Sequence, residues 1–322
     1  LDDIPLPAWD LFPLENYLSN NLGYGVNPGR TMPMLISRGC PFQCTFCSSP
    51  QMWTTKWQAR DPDCVIEEMQ FYIDKYKATN FDFYDLTAIV RKDWIIKFCQ
   101  KIIKKNWNIT WQMPSGTRSE ALDDETLGLM MLSGQKHISY APESASKTTL
   151  QKIKKKIKIE NMKKSIRSAL SKGMSVKLNL MLGFPDETHK EMLETLRFVL
   201  DAAFMGVSDV YLASFAPYPG SELFDQMYKN GQIPKLDDEY FLNLTSYTDL
   251  LHSYSYSQHV GHRMLSVYRI GGMSMFYILN FVLRPKRIFR LFRNVIKGKE
   301  ESKFENSILQ IMGRFKQSKK LR

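Results

Sequence analysis

From Thr31 onward, short apolar runs alternate with longer amphipathic segments six times over. The runs at 33–37 (PMLIS), 81–86 (FDFYDL), 108–113 (NITWQM), 137–142 (HISYAP), 175–182 (SVKLNLML) and 208–215 (SDVYLASF) predict strands. The segments 62–78, 92–105, 122–133, 147–172, 188–204 and 220–229 predict helices. Strand followed by helix, repeated, predicts an α/β chain with a parallel sheet and crossover helices. A partial (βα)6 TIM-like barrel fits six units, and a doubly wound open sheet is its rival. Both gather ligands at the C-terminal ends of the strands.

Those ends carry polar or Gly/Pro-rich segments. A cysteine loop follows the first strand, Asp85 the second, PSGTR the third, PESAS the fourth, GFPDET the fifth and APYPGS the sixth. Singly, each has the composition of a turn. Six converging on one mouth make a candidate site.

The flanks differ from this core. Residues 1–30, rich in Pro, Asn and Gly, read as an extended linker arm anchored by Trp9, Phe12 and Tyr17. The repeat spans 31–235, and 236–322 reads as a helical C-terminal extension. The chain does not open with Met, so preceding sequence is expected, and no signal-peptide pattern opens it. Residues 284–322 hold 13 Lys/Arg against three Glu, which accounts for +10 of the net +11. The body is therefore near neutral, which argues against a nucleic-acid-binding protein. The run KIKKKIKIENMKK (152–164) reads as a solvated helix face with Ile153, Ile157 and Met162 buried. Ile270–Leu283 has no charge but is short for a membrane span. In RPKRIFRLFRNVIKGK, residues Ile288, Phe289, Leu291, Phe292, Val295 and Ile296 share a helical face. Lys286, Arg287, Arg290, Arg293 and Lys297 border or oppose it. That is an interfacial pattern, so peripheral membrane contact is expected; a basic helix packed on the body is the other reading.

Five cysteines, unevenly spaced, suit a reduced, cytoplasmic compartment better than a disulfide framework. Three of them, Cys40, Cys44 and Cys47, lie in SRGCPFQCTFCSSP. Thiolates at this spacing suit zinc, copper(I) or an iron–sulfur cluster. A structural zinc site closes with four ligands, and the loop offers three. Cys64 opens a predicted helix, and Cys99 reads as a core residue. A [4Fe–4S] cluster on three thiolates leaves one iron open to a substrate or cofactor. The histidines are scattered, and His259 and His262 read as a surface pair.

CPFQCTFC resembles the CxxxCxφC loop of the radical S-adenosylmethionine (SAM) superfamily, with Phe46 as the aromatic before the last cysteine. The resemblance covers about Thr31 to Lys229. YAPESAS, GFPDET and PYPGSELF are similar to the cobalamin-associated branch, which includes the anaerobic magnesium-protoporphyrin ester cyclase. That branch usually places a cobalamin domain before the radical SAM domain, with residues 1–30 resembling the linker; the domain itself is absent here. The resemblance implies that Cys40, Cys44 and Cys47 hold three irons and that the fourth chelates SAM. Reductive cleavage of SAM would yield a 5′-deoxyadenosyl radical that abstracts a hydrogen from an unactivated carbon. It further implies Phe46 against the adenine, Asp85 facing the methionyl amino group and Arg118 pairing with its carboxylate. Glu143 and Ser144 would bind polar groups such as the ribose hydroxyls, and Gly183 and Pro185 would let backbone approach the adenine. Glu187 reads as a helix cap.

The expected function is methylation, with cyclisation second, of a lipid-like, isoprenoid or tetrapyrrole small molecule. The implied cofactors are a [4Fe–4S] cluster, SAM and cobalamin. Flavodoxin or ferredoxin is the expected electron donor, and the inner face of the membrane a candidate location. Two other readings stay open: a methylthiotransferase-like RNA-modifying enzyme and a non-catalytic metal-binding protein. The former would need further cysteines for a second cluster.

Overall fold

Along the strands every second side chain is apolar and buried: Phe81 and Phe83, Trp111 and Met113, Ile138 and Tyr140, Val176, Leu178 and Leu180, Val210 and Leu212. Between them stand Asp82, Gln112, Ser139, Lys177, Asn179, Asp209 and Tyr211. A period of two sends the sets to opposite faces. The apolar set packs with the helices in one core that includes Tyr72, Phe98, Met130, Ile166, Val199 and Phe276. The polar set lines the inner face.

The computed structural model describes residues 1–26, 29–118, 122–233, 235–250 and 253–320. Its main sheet has strands β1 (Thr31–Met34), β2 (Asn80–Phe83), β3 (Thr110–Thr117), β4 (Gln135–Glu143), β5 (Ser175–Leu182) and β6 (Asp209–Ser214). All neighbours pair in parallel, and the spatial order follows the chain order. A doubly wound sheet reverses its strand order midway; this one does not. Among the described residues β1 and β6 do not pair, so the arrangement is a partial barrel rather than a closed one.

Helices α1 (Pro62–Tyr76), α2 (Lys92–Lys105), α3 (Asp124–Leu132), α4 (Lys147–Lys152), α5 (Ile159–Ser171), α6 (His189–Met205) and α7 (Glu222–Lys229) follow the strands. The single helix expected over 147–172 is two, α4 and α5. Lys154 takes a left-handed φ of 54° at the break, where the I-K-K-K-I-K pattern loses its helical period.

The arm is not extended throughout. A short helix, Leu14–Ser19, puts Leu14 and Leu18 into the main core. Of the three expected anchors, Trp9 serves, with its indole N–H donating to the Tyr72 hydroxyl at 3.1 Å. Phe12 and Tyr17 are exposed and pack on each other.

The last part of the chain forms α8 (Asp238–Leu244), α9 (His262–Leu283), α10 (Lys286–Ile296) and α11 (Lys303–Lys320). Leu265, Met273 and Phe276 of α9 join the main core. Gly272 permits the approach, because a Cβ there would lie 2.6 Å from Leu196 Cδ2. The Asp209 carboxylate accepts the backbone N–H groups of Lys303 and Phe304 at 3.0 and 3.2 Å, capping the start of α11. Lys303 Nζ in turn donates to the Tyr24 carbonyl at 2.5 Å, which ties the start of α11 to the segment before β1.

Candidate active site

The cysteine loop leaves β1 through Gly39, whose φ is +78° and where a Cβ would lie 2.2 Å from the Lys56 carbonyl oxygen. Only glycine fits there. The three thiols that follow are half-buried. Cys40 Sγ lies 3.4 Å from Thr87 Oγ1, the Cys47 N–H donates to the Cys44 carbonyl at 3.1 Å, and Cys47 Sγ accepts the Ser49 N–H at 3.4 Å. Burial pushes the Cys44 and Cys47 thiols up, with Lys155 opposing it for both.

The α4–α5 break braces this loop. The Ile153 carbonyl accepts the Thr45 N–H at 3.1 Å, and the Thr45 carbonyl accepts from Leu223 at 2.8 Å. The break also turns Lys155 inward, against the expected solvated face. Its ammonium pairs with Glu143 at 3.0 Å and lies 5.9 Å from the Phe46 ring. Burial alone would depress Lys155, but the charges of Glu143 and Cys44 outweigh it and hold the ammonium above its ordinary value. Glu143 ends β4 after a register shift and has a φ of 65°, a strained setting for a non-glycine residue. Lys155 is the residue that sequence reasoning missed. Its signal was the lapse of helical period across 153–158.

The other expected residues divide. Arg118 is at the cysteine loop, its guanidinium 3.4 Å from the centre of the Phe42 ring, and it donates to the Lys156 carbonyl. Phe46 packs near Phe184 at 5.8 Å. Asp85 is buried beneath the loop, where its carboxylate accepts from the Ile36 N–H at 3.1 Å, the Ser37 N–H and the Ser37 hydroxyl at 2.6 Å. It buttresses the chain entering the loop. Burial raises its pKa to about 6, and those donors oppose the shift.

Ser144 is fully buried beside α6, with its hydroxyl 3.0 Å from Thr195 Oγ1 and accepting the Ser146 N–H. Gly183 has a φ of +89°, and its N–H donates to Glu187 at 2.7 Å, so its carbonyl side is what remains for a ligand. The Pro185 carbonyl accepts from Gln258 at 2.9 Å. Glu187 ties the Gly183–Phe184 turn, whereas the helix cap belongs to Thr188 and Glu191. Burial raises Glu187 to about 8.

The radical SAM superfamily profile matches residues 34–199, just over half of the chain, and the chain belongs to this superfamily of enzymes. It is 26% identical over 290 residues to an uncharacterized methyltransferase of Pyrococcus horikoshii, covering 90% of this chain and 58% of that one. It is 25% identical over 221 residues to the anaerobic magnesium-protoporphyrin IX monomethyl ester cyclase of Rubrivivax gelatinosus, covering 69% and 38%. Among solved structures it superposes on a cobalamin-dependent SAM radical enzyme, OxsB, with aqua-cobalamin and SAM bound. There the TM-score is 0.59 at 13% identity, over 90% of this chain and 50% of that one. The chain thus spans about half the length of such relatives. The family implies an iron–sulfur cluster and SAM.

The residues present fit that pair. Three free, half-buried thiols in one loop suit a cubane, in which three protein thiolates would each hold a separate iron. Beside the thiols stand a buried cation, Lys155, and a carboxylate, Glu143, the complements of a carboxylate and of an amino or hydroxyl group.

Proposed function

We propose that this chain is the radical SAM unit of an enzyme that methylates, or alternatively cyclises, an unactivated carbon of a lipid-like, isoprenoid or tetrapyrrole molecule. The observation that carries this reading is the three-thiol loop held against the Glu143–Lys155 pair. Cys40, Cys44 and Cys47 would hold the cluster. Bound together, cluster and SAM supply one-electron cleavage of the sulfonium and a radical able to take hydrogen from carbon. Lys155 binds the methionyl carboxylate, Glu143 accepts from the amino group or ribose, and Arg118 stiffens the cluster loop through Phe42. Gly183 gives backbone access beside Phe46 and Phe184. A mainly apolar cavity of about 540 Å³, lined in part by Leu6, Trp9, Leu35, Tyr84 and Leu86, adjoins the loop at Ser37–Gly39 and supports an apolar substrate. The methyltransferase and cyclase named among the relatives support the choice of reactions. The cobalamin-bound neighbour supports cobalamin as a third cofactor, on a unit outside residues 1–322 with residues 1–30 as the link. A flavodoxin or ferredoxin would deliver the electron. Anaerobically reconstituted, reduced protein given SAM should release 5′-deoxyadenosine, and Cys44→Ala should not. Equal, background-level release from both would sink the reading.

We further propose that α10 rests on the cytoplasmic face of a membrane. Phe289, Phe292 and Ile296 recur along one side of this helix and are 75%, 63% and 84% exposed. Lys286, Arg293 and Lys297 are exposed on the same helix. The basic rim is narrower than the sequence suggests, because Arg284 and Arg287 turn inward to carbonyls at 203–207. No described helix is long and apolar enough to cross a bilayer. Apolar side chains edged by cations suit an anionic lipid surface. The full chain should co-sediment with vesicles containing phosphatidylglycerol, and Phe289→Ser/Phe292→Ser should abolish this. Equal sedimentation of the two proteins would count against the contact.

A further inference from the structure

We propose that the inner face of the sheet carries a head-group site, built on Lys177, that takes the anionic end of the substrate. This rests on the radical SAM reading above and narrows its substrate to a carboxylate- or phosphate-bearing amphiphile.

Lys177 stands on β5 facing inward, in register with Ser139 on β4 and Asp209 on β6. Among the described residues its ammonium makes no hydrogen bond and no ion pair. What it meets are two aromatic faces, Tyr24 at 6.0 Å and Tyr211 at 5.9 Å. The nearby acids are engaged elsewhere. Asp209 caps α11 and accepts from the Tyr277 hydroxyl, and Asp82 accepts from Gly25, Gln112 and Asn80. Lys303, the neighbouring cation, donates to the carbonyls of Tyr24 and Gly25. Burial pushes Lys177 down to about 8, with Asp209 opposing, so it remains mostly charged at neutral pH.

Lys177 is half-buried, and its ammonium lines a cleft with no hydrogen-bond partner among the described residues, where an incoming anion can reach it. Its surroundings are set up to donate. Ser139, Ser175 and Asn179 share its face, and their side chains make no hydrogen bond among the described residues. The Ser139 and Ser175 hydroxyls and the Lys177 and Lys303 ammoniums line one cleft, and the carboxylate that also lines it, Asp209, is engaged by the N–H groups of Lys303 and Phe304, which leaves a lining that complements an oxyanion. A cleft of about 30 Å³ between Tyr24, Gln112, His137, Ser139 and Lys177 has room for a carboxylate or one face of a phosphate.

The position also relates to the chemistry. Glu143 is level with Leu180 on β5, three residues above Lys177, which is roughly 10 Å along a strand. A head group at Lys177 therefore holds a carbon several bonds away beneath the Glu143–Lys155 pair. Tyr24 joins this site to the apolar cavity, since its ring meets Tyr84, a cavity wall, edge-on at 6.4 Å.

The test compares the full-length protein with Lys177→Met, using octanoate, octyl phosphate and octanol as calorimetric probes. The wild type should bind at least one anionic probe about tenfold or more tightly than octanol, and the better anion identifies the head group. Lys177→Met should lose that preference, leave octanol binding unchanged and melt no lower than wild type. Substrate-independent release of 5′-deoxyadenosine should be equal in the two proteins, so failure of the radical chemistry is read separately from failure of this site. A lower melting temperature with unchanged anion binding would make Lys177 a water-linked structural partner of Asp209 and overturn the proposal. Octanol binding wild type as tightly as both anions would overturn it too.

Discussion

Lys155 shows how one backbone angle makes a site. Lys154 at φ 54° ends α4, exposes the Ile153 carbonyl to the cysteine loop and swings the next side chain inward. Lys155→Met should raise the KM for SAM about tenfold or more, while iron content after reconstitution stays at the wild-type value; anaerobic initial rates and iron assays check both. Glu187 gives a second residue-scale prediction, through pH. Its folded pKa of about 8 lies above the ordinary 4.5 because burial disfavours its charge. The stability it contributes is full below 4.5 and is lost as pH rises through 8. Glu187→Gln does not titrate, so its melting temperature should gain on wild type between pH 5 and pH 9, by on the order of 2 °C or more. A difference that stays constant across that range would mean Glu187 is charged in the fold. The cysteines were legible because their spacing is local and their chemistry specific. The hydrogen-bond partners of Ser144 and Asp85 were not legible, because a strand end tells which residues reach the mouth but not how each turns. Ser144 follows a positive-φ residue and faces α6, and Asp85 is drawn under the loop by three donors.

Among the elements, the strands were readable from their apolar runs, and five of the six expected helices arrived as single helices. The fourth, 147–172, broke because a local pattern, I-K-K-K-I-K, gave way to a tertiary need: carbonyls for Thr45 and Arg118. Sequence periodicity does not carry that need. The closing of the sheet's underside by α11 was equally hidden, since Asp209 and Lys303 lie far apart in the chain. Asp209→Ala should remove the cap of α11 at a cost of about 1–2 kcal/mol. It should also open the 297–302 connection to limited proteolysis. Denaturant titration and proteolytic mapping measure the two effects, and an unchanged digestion pattern would show that α11 is held by other contacts.

For the whole molecule, the partial barrel separates two environments. Helices and apolar side chains fill one face of the sheet, and polar side chains line the other, where Tyr24 meets Lys303 at the start of α11. The cysteine loop, Glu143 and Lys155 lie at the mouth, with the apolar cavity beside it and Lys177 below. Composition indicated the basic tail, and the structure narrowed its usable face to three apolar side chains and a few exposed cations. Vesicle binding through α10 should weaken as salt rises from 0.05 to 0.5 M, because the attraction between the basic rim and an anionic surface is screened; salt-independent binding would leave only the apolar term. The central claim is that three thiolates leave one iron open to SAM. Electron paramagnetic resonance of the reconstituted, reduced protein, recorded with and without SAM, tests it most directly. The account predicts a [4Fe–4S] signal that changes on adding SAM and is absent when Cys40, Cys44 and Cys47 are replaced by Ala. A signal that SAM leaves unaltered, or one that survives loss of the three cysteines, would contradict it.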